Sequence, residues 1–308
     1  MSPVELSILI VSYNTREVTL DCLRSLYAHP PAVPFEVILL DNDSADGSAE
    51  GVAAEFPQVK LIASRENTGF AGGNNIAAGE AGGRRLLLLN PDTIVLDGSL
   101  DALWAFAERD SGRGIWGGRT LFEDGSLNPT SCWGRITPWS LFCSAAGLTW
   151  LFPRSRLFNP EAYGGWQRDS EREVDIVTGC FLLIDRALWQ RLGGFDPTFF
   201  MYAEEADLCL RASRLGYRPA VTPAAEIIHL GGRSESSPVE KVIKTTRGRV
   251  TLIRKHWPAG KRALGLALFR GWALSRAIGS HVARDRRGGS SDKWKTIWGR
   301  RAEWLKGY

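Results

Sequence analysis

Residues 6–13 read Leu-Ser-Ile-Leu-Ile-Val-Ser-Tyr (LSILIVSY), an uncharged run rich in β-branched side chains. A strand with one wet face alternates polar and apolar residues. A run this continuous predicts a strand buried on both faces, as in a parallel sheet. The pattern recurs downstream. Phe35–Leu40 (FEVILL), Val59–Ala63 and Arg85–Leu89 (RLLLL) read as further strands. Between them lie helical stretches: one capped by Thr15 with Val18, Leu20, Leu23 and Leu26 on its apolar side, then Asp46–Phe56 and the small-residue segment Phe70–Ala81. Strand–helix alternation with short links predicts an α/β fold, a mostly parallel central sheet flanked by helices. Ligands then belong at the C-terminal ends of the strands.

The segments after those strand ends are polar and turn-rich: Ser12-Tyr13-Asn14, Asp41-Asn42-Asp43-Ser44, Asn67-Thr68-Gly69 and Asn90-Pro91-Asp92. They are expected to converge on one crevice. No GxGxxG and no GK[ST] occurs, so neither a dinucleotide fingerprint nor a Walker phosphate loop is present. At 41–48, Asp41 and Asn42 are candidate ligands for a base edge or ribose, and Ser44 and Asp46 candidate caps; an Asx turn plus N-cap is the alternative reading. Asp92 faces the same crevice and can hold Mg²⁺ or Mn²⁺ on a diphosphate, unless Asn90-Pro91-Asp92 is only a turn. His229, one of four histidines, is its candidate partner or a structural histidine.

Farther on, Val174–Asp185 reads as a strand pair or one long strand, and Ala203–Gly216 as an amphipathic helix with Gly216 past its C-terminus. Phe199-Phe200-Met201-Tyr202 precedes Glu204-Glu205-Ala206-Asp207. On a helix Glu204 and Asp207 share a face, while Glu205 points about 100° away. Acids in a first turn favour the helix dipole, but apolar neighbours also raise a carboxylate pKa and suit a general base.

The chain's 308 residues, 44% hydrophobic and 23% charged, exclude a collagen, a coiled coil and a disordered chain. The net charge of +4 hides an asymmetry: residues 241–308 carry 18 Lys+Arg against 3 Asp+Glu, leaving an acidic body. A basic tail suggests an anionic partner. Five Cys without a CxxC imply neither a zinc site nor a disulfide framework and fit a reducing cytosol. The N-terminal apolar run lacks a basic n-region, so no signal peptide is expected. Trp294, Trp298 and Leu305 fall near helical spacing among Lys293, Lys295, Arg300, Arg301 and Lys306. That is the pattern of a helix at an anionic bilayer interface, or of a helix packed on the body. Leu141–Phe152 is either a membrane-dipping or acceptor-covering loop, or core. A Gly-Gly-Ser-Ser break is read at 288–291. The expected location is the cytoplasm, with peripheral attachment to the inner face of the cell membrane.

Seven segments in order resemble the family-two inverting glycosyltransferases of the GT-A, Rossmann-like fold, nearest to rhamnosyltransferase-like members: SILIVSYN (7–14), LLDNDSADGS (39–48), ENTGFAGGNN (66–75), LLLLNPDT (86–93), VTGCFLLIDR (177–186), GGFDPTFFMYAEEADLCLRASRLGYR (193–218) and HLGGRS (229–234). The resemblance spans about residues 5–257 and implies three regions: 1–120 binding the nucleotide sugar, 121–240 the acceptor-binding and catalytic half, and 241–308 a basic, Trp-rich helical C-terminal extension.

It also implies roles. Tyr13 stacks on the base, with Asn14 beside it. Asp41 and Asn42 contact base or ribose. Asn67, Gly69 and Asn74 shape the nucleotide pocket, with Asn90 and Asp92 at its phosphate end. Asn90 stands where the family's metal motif has its first Asp, so Asp92 keeps one carboxylate and His229 becomes the second metal ligand. Glu205 falls at the catalytic base, with Asp207 in reserve because the pair here is Glu-Glu. Gly179, Cys180 and Glu204 lie beside the acceptor, and Arg247 beside the diphosphate. The implied partners are a dTDP- or UDP-linked sugar, a glycan or polyprenyl-diphosphate-linked acceptor of cell-envelope polysaccharide synthesis, an anionic membrane surface, and no nucleic acid. Two other readings compete. A sugar-phosphate nucleotidyltransferase wants a Gly-rich basic loop that Ser12–Arg16 lacks. A nucleic-acid binder leaves the acidic strand-end motifs unexplained.

Overall fold

The computed structural model describes residues 3–231, 237–284 and 291–308. Gly232–Ser234 of the HLGGRS segment and most of the Gly-Gly-Ser-Ser break lie outside the described residues. In chain order the elements are β1 (Leu6–Ser12), α1 (Arg16–Ala28), β2 (Phe35–Asp41), α2 (Ser48–Glu55), β3 (Lys60–Ala63), α3 (Gly69–Gly79), β4 (Arg85–Leu89), β5 (Thr93–Val95), α4 (Ser99–Arg109), β6 (Ile115–Leu121), β7 (Leu127–Asn128), β8 (Cys132–Trp133), α5 (Pro138–Ala145) and α6 (Leu148–Leu151). They continue with β9 (Arg172–Glu173), β10 (Ile176–Val177), β11 (Phe181–Asp185), α7 (Arg186–Leu192), α8 (Glu204–Arg214), β12 (Ala220–His229), α9 (Pro238–His256), α10 (Ala259–Arg284), α11 (Ser291–Gly299) and α12 (Arg301–Lys306).

The chain forms two compact units. The first comprises 1–133, 167–200 and 204–234 and contains the main sheet, in order β3-β2-β1-β4-β11-β6-β12-β5. β3, β2, β1 and β4 run parallel, as their apolar runs predict. β11 enters antiparallel between β4 and β6, and β6 pairs parallel with β12. Ile8, Ile10, Val37, Leu39, Leu87 and Leu89 bury their side chains with Leu20, Leu23 and Leu26 of α1. Parallel register places Ser12, Asp41 and Ala63 in one row, so these strands end together.

Two local expectations change. Thr15 stands at the start of α1 but caps nothing with its side chain; its hydroxyl bonds those of Ser12 (3.1 Å) and Thr19 (3.2 Å). Asp46 does the capping: one carboxylate oxygen accepts from the Arg16 N–H (2.9 Å), the other from the Ser48 N–H (3.1 Å). The 174–185 segment is two strands in two sheets, β10 pairing with β8 and β11 joining the main sheet, with Thr178-Gly179-Cys180 crossing between them.

The second unit comprises 134–166, 201–203 and 235–308. Its core contains Leu141, Ile243, Val250, Ile253, Phe269, Ile297 and Trp304, with Trp257, Trp272, Trp294 and Trp298 packed against it. Trp272 meets Phe269 face to face at 5.2 Å and Trp294 edge-on at 5.3 Å. Of the tail tryptophans, Trp304 is fully buried in this core, and Trp257, Trp272, Trp294 and Trp298 are half-buried against it.

Candidate active site

The site residues of the first unit gather at the ends of β1, β2 and β4 and around the 178–180 crossing. Asn14 and Asp43 both take left-handed backbone (φ 51° and 68°), folding two loops against each other. The Asn14 N–H donates to the Ser44 hydroxyl (2.9 Å), and the Ala45 N–H donates to the Asn14 side-chain carbonyl (2.8 Å). Tyr13, held between β1 and this clasp, remains 39% exposed, enough to offer a ring face to a planar ligand.

Asp41 and Asn42, adjacent and both buried, have different duties. One Asp41 oxygen accepts from the Ser44 N–H (3.0 Å); the other, Oδ1, is buried with no hydrogen-bond partner among the described residues. Buried acceptors are nearly always satisfied, so Oδ1 is open to a ligand donor. The Asn42 amide instead serves the 67–69 turn. Its nitrogen donates to Asn67 Oδ1 (3.0 Å) and the Gly69 carbonyl (3.1 Å), and its oxygen accepts from the Thr68 N–H (2.9 Å). With those bonds made, the Asn42 amide braces the 67–69 turn. Asn74 is likewise internal, donating to the Phe70 carbonyl (2.9 Å) within α3.

Gly69 begins α3 at φ +72°, where a Cβ would strike the Phe200 carbonyl oxygen and ring. That carbonyl accepts the Phe70 N–H at 2.9 Å. The turn below Asn42 is thereby tied to the aromatic pair preceding α8. On the other side, a Cβ at Gly179 would lie 3.1 Å from the Phe70 ring and 3.8 Å from Glu205 Cβ. Glycine at 179 thus lets the crossing strand pass against α3 and α8.

The crossing continues to the second group. The Cys180 carbonyl accepts the Asn90 N–H (3.1 Å), and Asn90 Oδ1 is buried without a hydrogen-bond partner among the described residues. Two residues on, Asp92 Oδ1 meets His229 Nε2 at 3.2 Å. The pairing follows from topology: β5 lies antiparallel to β12 with Thr93 opposite His229. Burial opposes charge on His229, but Cys180 and Asp92 beside it prevail and push the imidazole up to about 11. Glu205 and the Asp92–His229 pair therefore flank the same Gly179–Cys180 crossing.

The three acids opening α8 differ in their surroundings. Asp207, fully buried, accepts from Arg211 Nε at 2.7 Å, and Arg211 also donates to the carbonyls of Leu192 (2.6 Å) and Gly194 (2.8 Å). Asp207 thus anchors α8 to the 192–194 turn. Glu204 is buried too, and desolvation together with the neighbouring Glu205 charge pushes its carboxyl well above the ordinary carboxylate range. Glu205 is the acid set against the Gly179 crossing.

Arg247 lies on α9 in the second unit, over the Tyr308 ring at 4.7 Å, with Nε donating to the Gly307 carbonyl. Sequence reasoning passed over Asn75, whose amide bonds both the N–H and the carbonyl of Phe195 (2.9 Å each), pinning α3 to the 193–195 turn. It also passed over Arg211, although the i, i+4 spacing from Asp207 signalled that pair.

Among curated relatives, an N-acetylglucosaminyl-diphospho-decaprenol L-rhamnosyltransferase of Mycobacterium tuberculosis is 34% identical over 212 residues, 64% of this chain and 66% of the relative. The chain thus spans just under two thirds of that relative's length. The rhamnosyltransferase WbbL of Escherichia coli is 37% identical over 75 residues, 24% of this chain and 28% of its own. Among solved structures, the mannosyltransferase PcManGT from Pyrobaculum calidifontis, determined with GDP-Man and Mn²⁺, superposes with a TM-score of 0.59 at 17% identity, over 99% of this chain and 87% of that one. GalNAc-T7, determined with UDP, GalNAc and Mn²⁺, gives a TM-score of 0.58 at 16% identity, over 98% and 55%. At such identities the likeness is one of fold, and the fold is GT-A. The family model for Glycosyl transferase family 2 matches residues 7–192, and the chain belongs to that family.

Proposed function

We propose that this chain is an inverting glycosyltransferase that moves a hexose of the rhamnose class from a dTDP- or UDP-linked donor to a hydroxyl of a glycan or polyprenyl-diphosphate-linked acceptor. The observation that supports the reading is that one short crossing has Glu205 beside Gly179 at one end and, at Cys180, the Asn90 backbone that leads to the Asp92–His229 pair. One end then faces an acceptor hydroxyl and the other a leaving diphosphate. The Mycobacterium tuberculosis relative, an N-acetylglucosaminyl-diphospho-decaprenol L-rhamnosyltransferase, supports the choice of sugar and lipid-linked acceptor.

Donor binding falls to the strand ends. The exposed Tyr13 ring stacks on the base, and Asp41 Oδ1 accepts from a base or ribose donor, filling its open position. Asn42 keeps the 67–69 turn in shape. Asp92 and His229 fit a divalent cation that takes few protein ligands. They would supply one carboxylate and, once His229 gives up the proton it shares with Asp92, one neutral imidazole; no cluster of three or more His, Cys, Asp or Glu suited to an ion occurs among the described residues. Mg²⁺ and Mn²⁺ commonly complete such sites with substrate phosphate oxygens and water. When bound, the ion supplies positive charge that stabilises the departing diphosphate.

The chain's own chemistry lies at α8. Burial and the neighbouring Glu205 charge raise the Glu204 carboxyl well above its ordinary range and favour its neutral form, which leaves Glu205 as the base of the pair in this reading. Glu205 removes the acceptor's hydroxyl proton as the oxygen attacks the anomeric carbon. The bond to the diphosphate breaks on the opposite face, so the configuration inverts. Asp207 positions α8 through Arg211. No helix among the described residues is long and apolar enough to cross a membrane, so a membrane-borne acceptor calls for peripheral attachment, at the inner face in this reading.

The test is a donor screen with the full chain, Mn²⁺ or Mg²⁺, and a prenyl-diphosphate-linked N-acetylglucosamine acceptor. Transfer from dTDP-rhamnose with inverted anomeric configuration by NMR is expected. A retained configuration, or release of a nucleoside triphosphate from donor and pyrophosphate, overturns the proposal.

A further inference from the structure

We propose that the surface formed by residues 139–157 docks the second unit onto an anionic lipid bilayer. This rests on the membrane-borne acceptor proposed above for its purpose, and on the exposed surface itself for its evidence. Six large apolar side chains stand in water within nineteen residues: Trp139, Phe142, Trp150, Leu151, Phe152 and Leu157. Trp150 is 79% exposed and Leu157 60%. Isolated exposed apolar residues need no explanation, but a knitted cluster does.

This cluster is knitted. Trp139 stacks on Phe142 at 5.6 Å and meets Phe158 at 6.3 Å, and Phe158 meets Phe152 at 5.1 Å. The Trp139 indole N–H donates to the Leu157 carbonyl at 2.7 Å, joining the two ends of the segment. Thr137 and Ser140 close a capping box at the start of α5, with Pro138 in the first turn. The aromatics are thus presented on an ordered platform.

The charge on this surface selects the occupant. Residues 134–160 contain no Asp or Glu. Arg154 and Arg156 are exposed, four and six positions from Trp150. Trp at the headgroup level, Leu and Phe reaching into the acyl boundary, and arginines on lipid phosphates is the composition of an interfacial anchor. A second protein copy would match the apolar part but leave the arginines facing each other. The tail's five tryptophans lie in or against the core of the second unit, whereas Trp150 stands in water.

The experiment is flotation of the full chain with phosphatidylcholine vesicles, with and without phosphatidylglycerol, at low and high salt. Binding is expected only with the anionic lipid and only at low salt. Trp150→Ser with Leu151→Ser abolishes it, at an unchanged melting temperature because both side chains are exposed. Arg154→Gln and Arg156→Gln weaken it about fivefold each. If the double variant does not fold, Trp150→Phe serves: quenching of tryptophan emission by nitroxide lipids must fall. The proposal is overturned in three ways. The parent chain fails to float with anionic vesicles. Binding survives the double variant but is lost on Lys293→Glu, Lys295→Glu and Lys306→Glu. Light scattering shows a dimer that the double variant dissolves. Transfer to a water-soluble acceptor separates the two readings: the double variant keeps it, whereas a parent chain that floats but transfers no sugar sinks the functional proposal and leaves the docking surface standing.

Discussion

Exchanging the two neighbouring acids of α8 for their amides, one at a time, separates catalysis from architecture. Asp207→Asn keeps the shape of the side chain and removes its charge, leaving the Arg211 guanidinium without its counter-ion. Breaking a buried ion pair costs about 3–5 kcal/mol. The lower end applies here, because Arg211 keeps the carbonyls of Leu192 and Gly194 and its side chain is 17% exposed. A loss of about 3 kcal/mol lowers the melting temperature by roughly 6–12 °C in a cooperative unit of this size. Assayed well below that transition, the variant should turn over within about tenfold of the parent, since it still sits in the same helix. Glu205→Gln should do the reverse. A general base is worth about 10²–10⁴-fold. We expect kcat to fall about 10³-fold, about 4 kcal/mol of barrier, with donor affinity and melting temperature close to the parent's. Thermal melts and initial rates on the same preparations decide it. A folded Asp207→Asn protein that loses 10³-fold in kcat, beside a Glu205→Gln protein that retains turnover, would refute the assignment of the two acids.

Glu204 makes a prediction about pH. Its folded pKa lies above its ordinary value of 4.5, so between 4.5 and that raised value the folded state binds more protons than the unfolded one, and stability falls as pH rises. Glu204→Gln removes that loss, so its melting temperature should exceed the parent's by more at neutral pH than near pH 4; calorimetry across pH checks it. Gly69→Ala places a Cβ at φ +72° against the Phe200 carbonyl and should cost at least about 2 kcal/mol, weakening nucleotide-sugar affinity measured by calorimetry. Chelation should abolish transfer and added Mn²⁺ or Mg²⁺ restore it, and Asp92→Ala and His229→Ala should each raise the metal concentration for half-maximal rate at least about tenfold.

Much of the first unit was legible because its strands are buried on both faces, which writes an apolar run such as LSILIVSY or RLLLL directly into the chain. Where a run stays apolar but changes sheet, composition is silent. Val174–Asp185 reads as a strand pair or as one long strand; it is a pair, but Val177 and Phe181 belong to different sheets, and the break is at Gly179, beside Glu205. The Asp92–His229 pair was legible as two residue types suited to one ion; their adjacency came from β5 lying antiparallel to β12, a long-range fact. Asn42 illustrates the opposite case. An amide at a strand end reads equally as ligand or brace, and only the positions of Asn67, Thr68 and Gly69 settle its bonds. The tail was ambiguous for a similar reason. Trp and Lys at helical spacing describe a bilayer helix and a packed helix alike, and the difference lies in partners, Phe269 and Trp272, that spacing does not specify.

The three acids that open α8 show why such a site cannot be explained by stability alone. A helix N-terminus favours a nearby anion by about 0.3–1 kcal/mol when the group is exposed. Acids placed there for that gain would stand in water, and all three are buried. Asp207 avoids the desolvation cost by taking Arg211 as partner. For Glu204, burial and the Glu205 charge raise the carboxyl well above its ordinary range, which favours the neutral form, and its Oε2 has no hydrogen-bond partner among the described residues. Just before them, Tyr202 and Ala203 take consecutive left-handed backbone (φ 69° and 79°), at a cost of order 1–3 kcal/mol each. Strained backbone leading directly into buried acids is hard to reconcile with a helix start selected for stability alone. It fits the role proposed for Glu205, a carboxylate set beside a neighbour whose burial favours the neutral form.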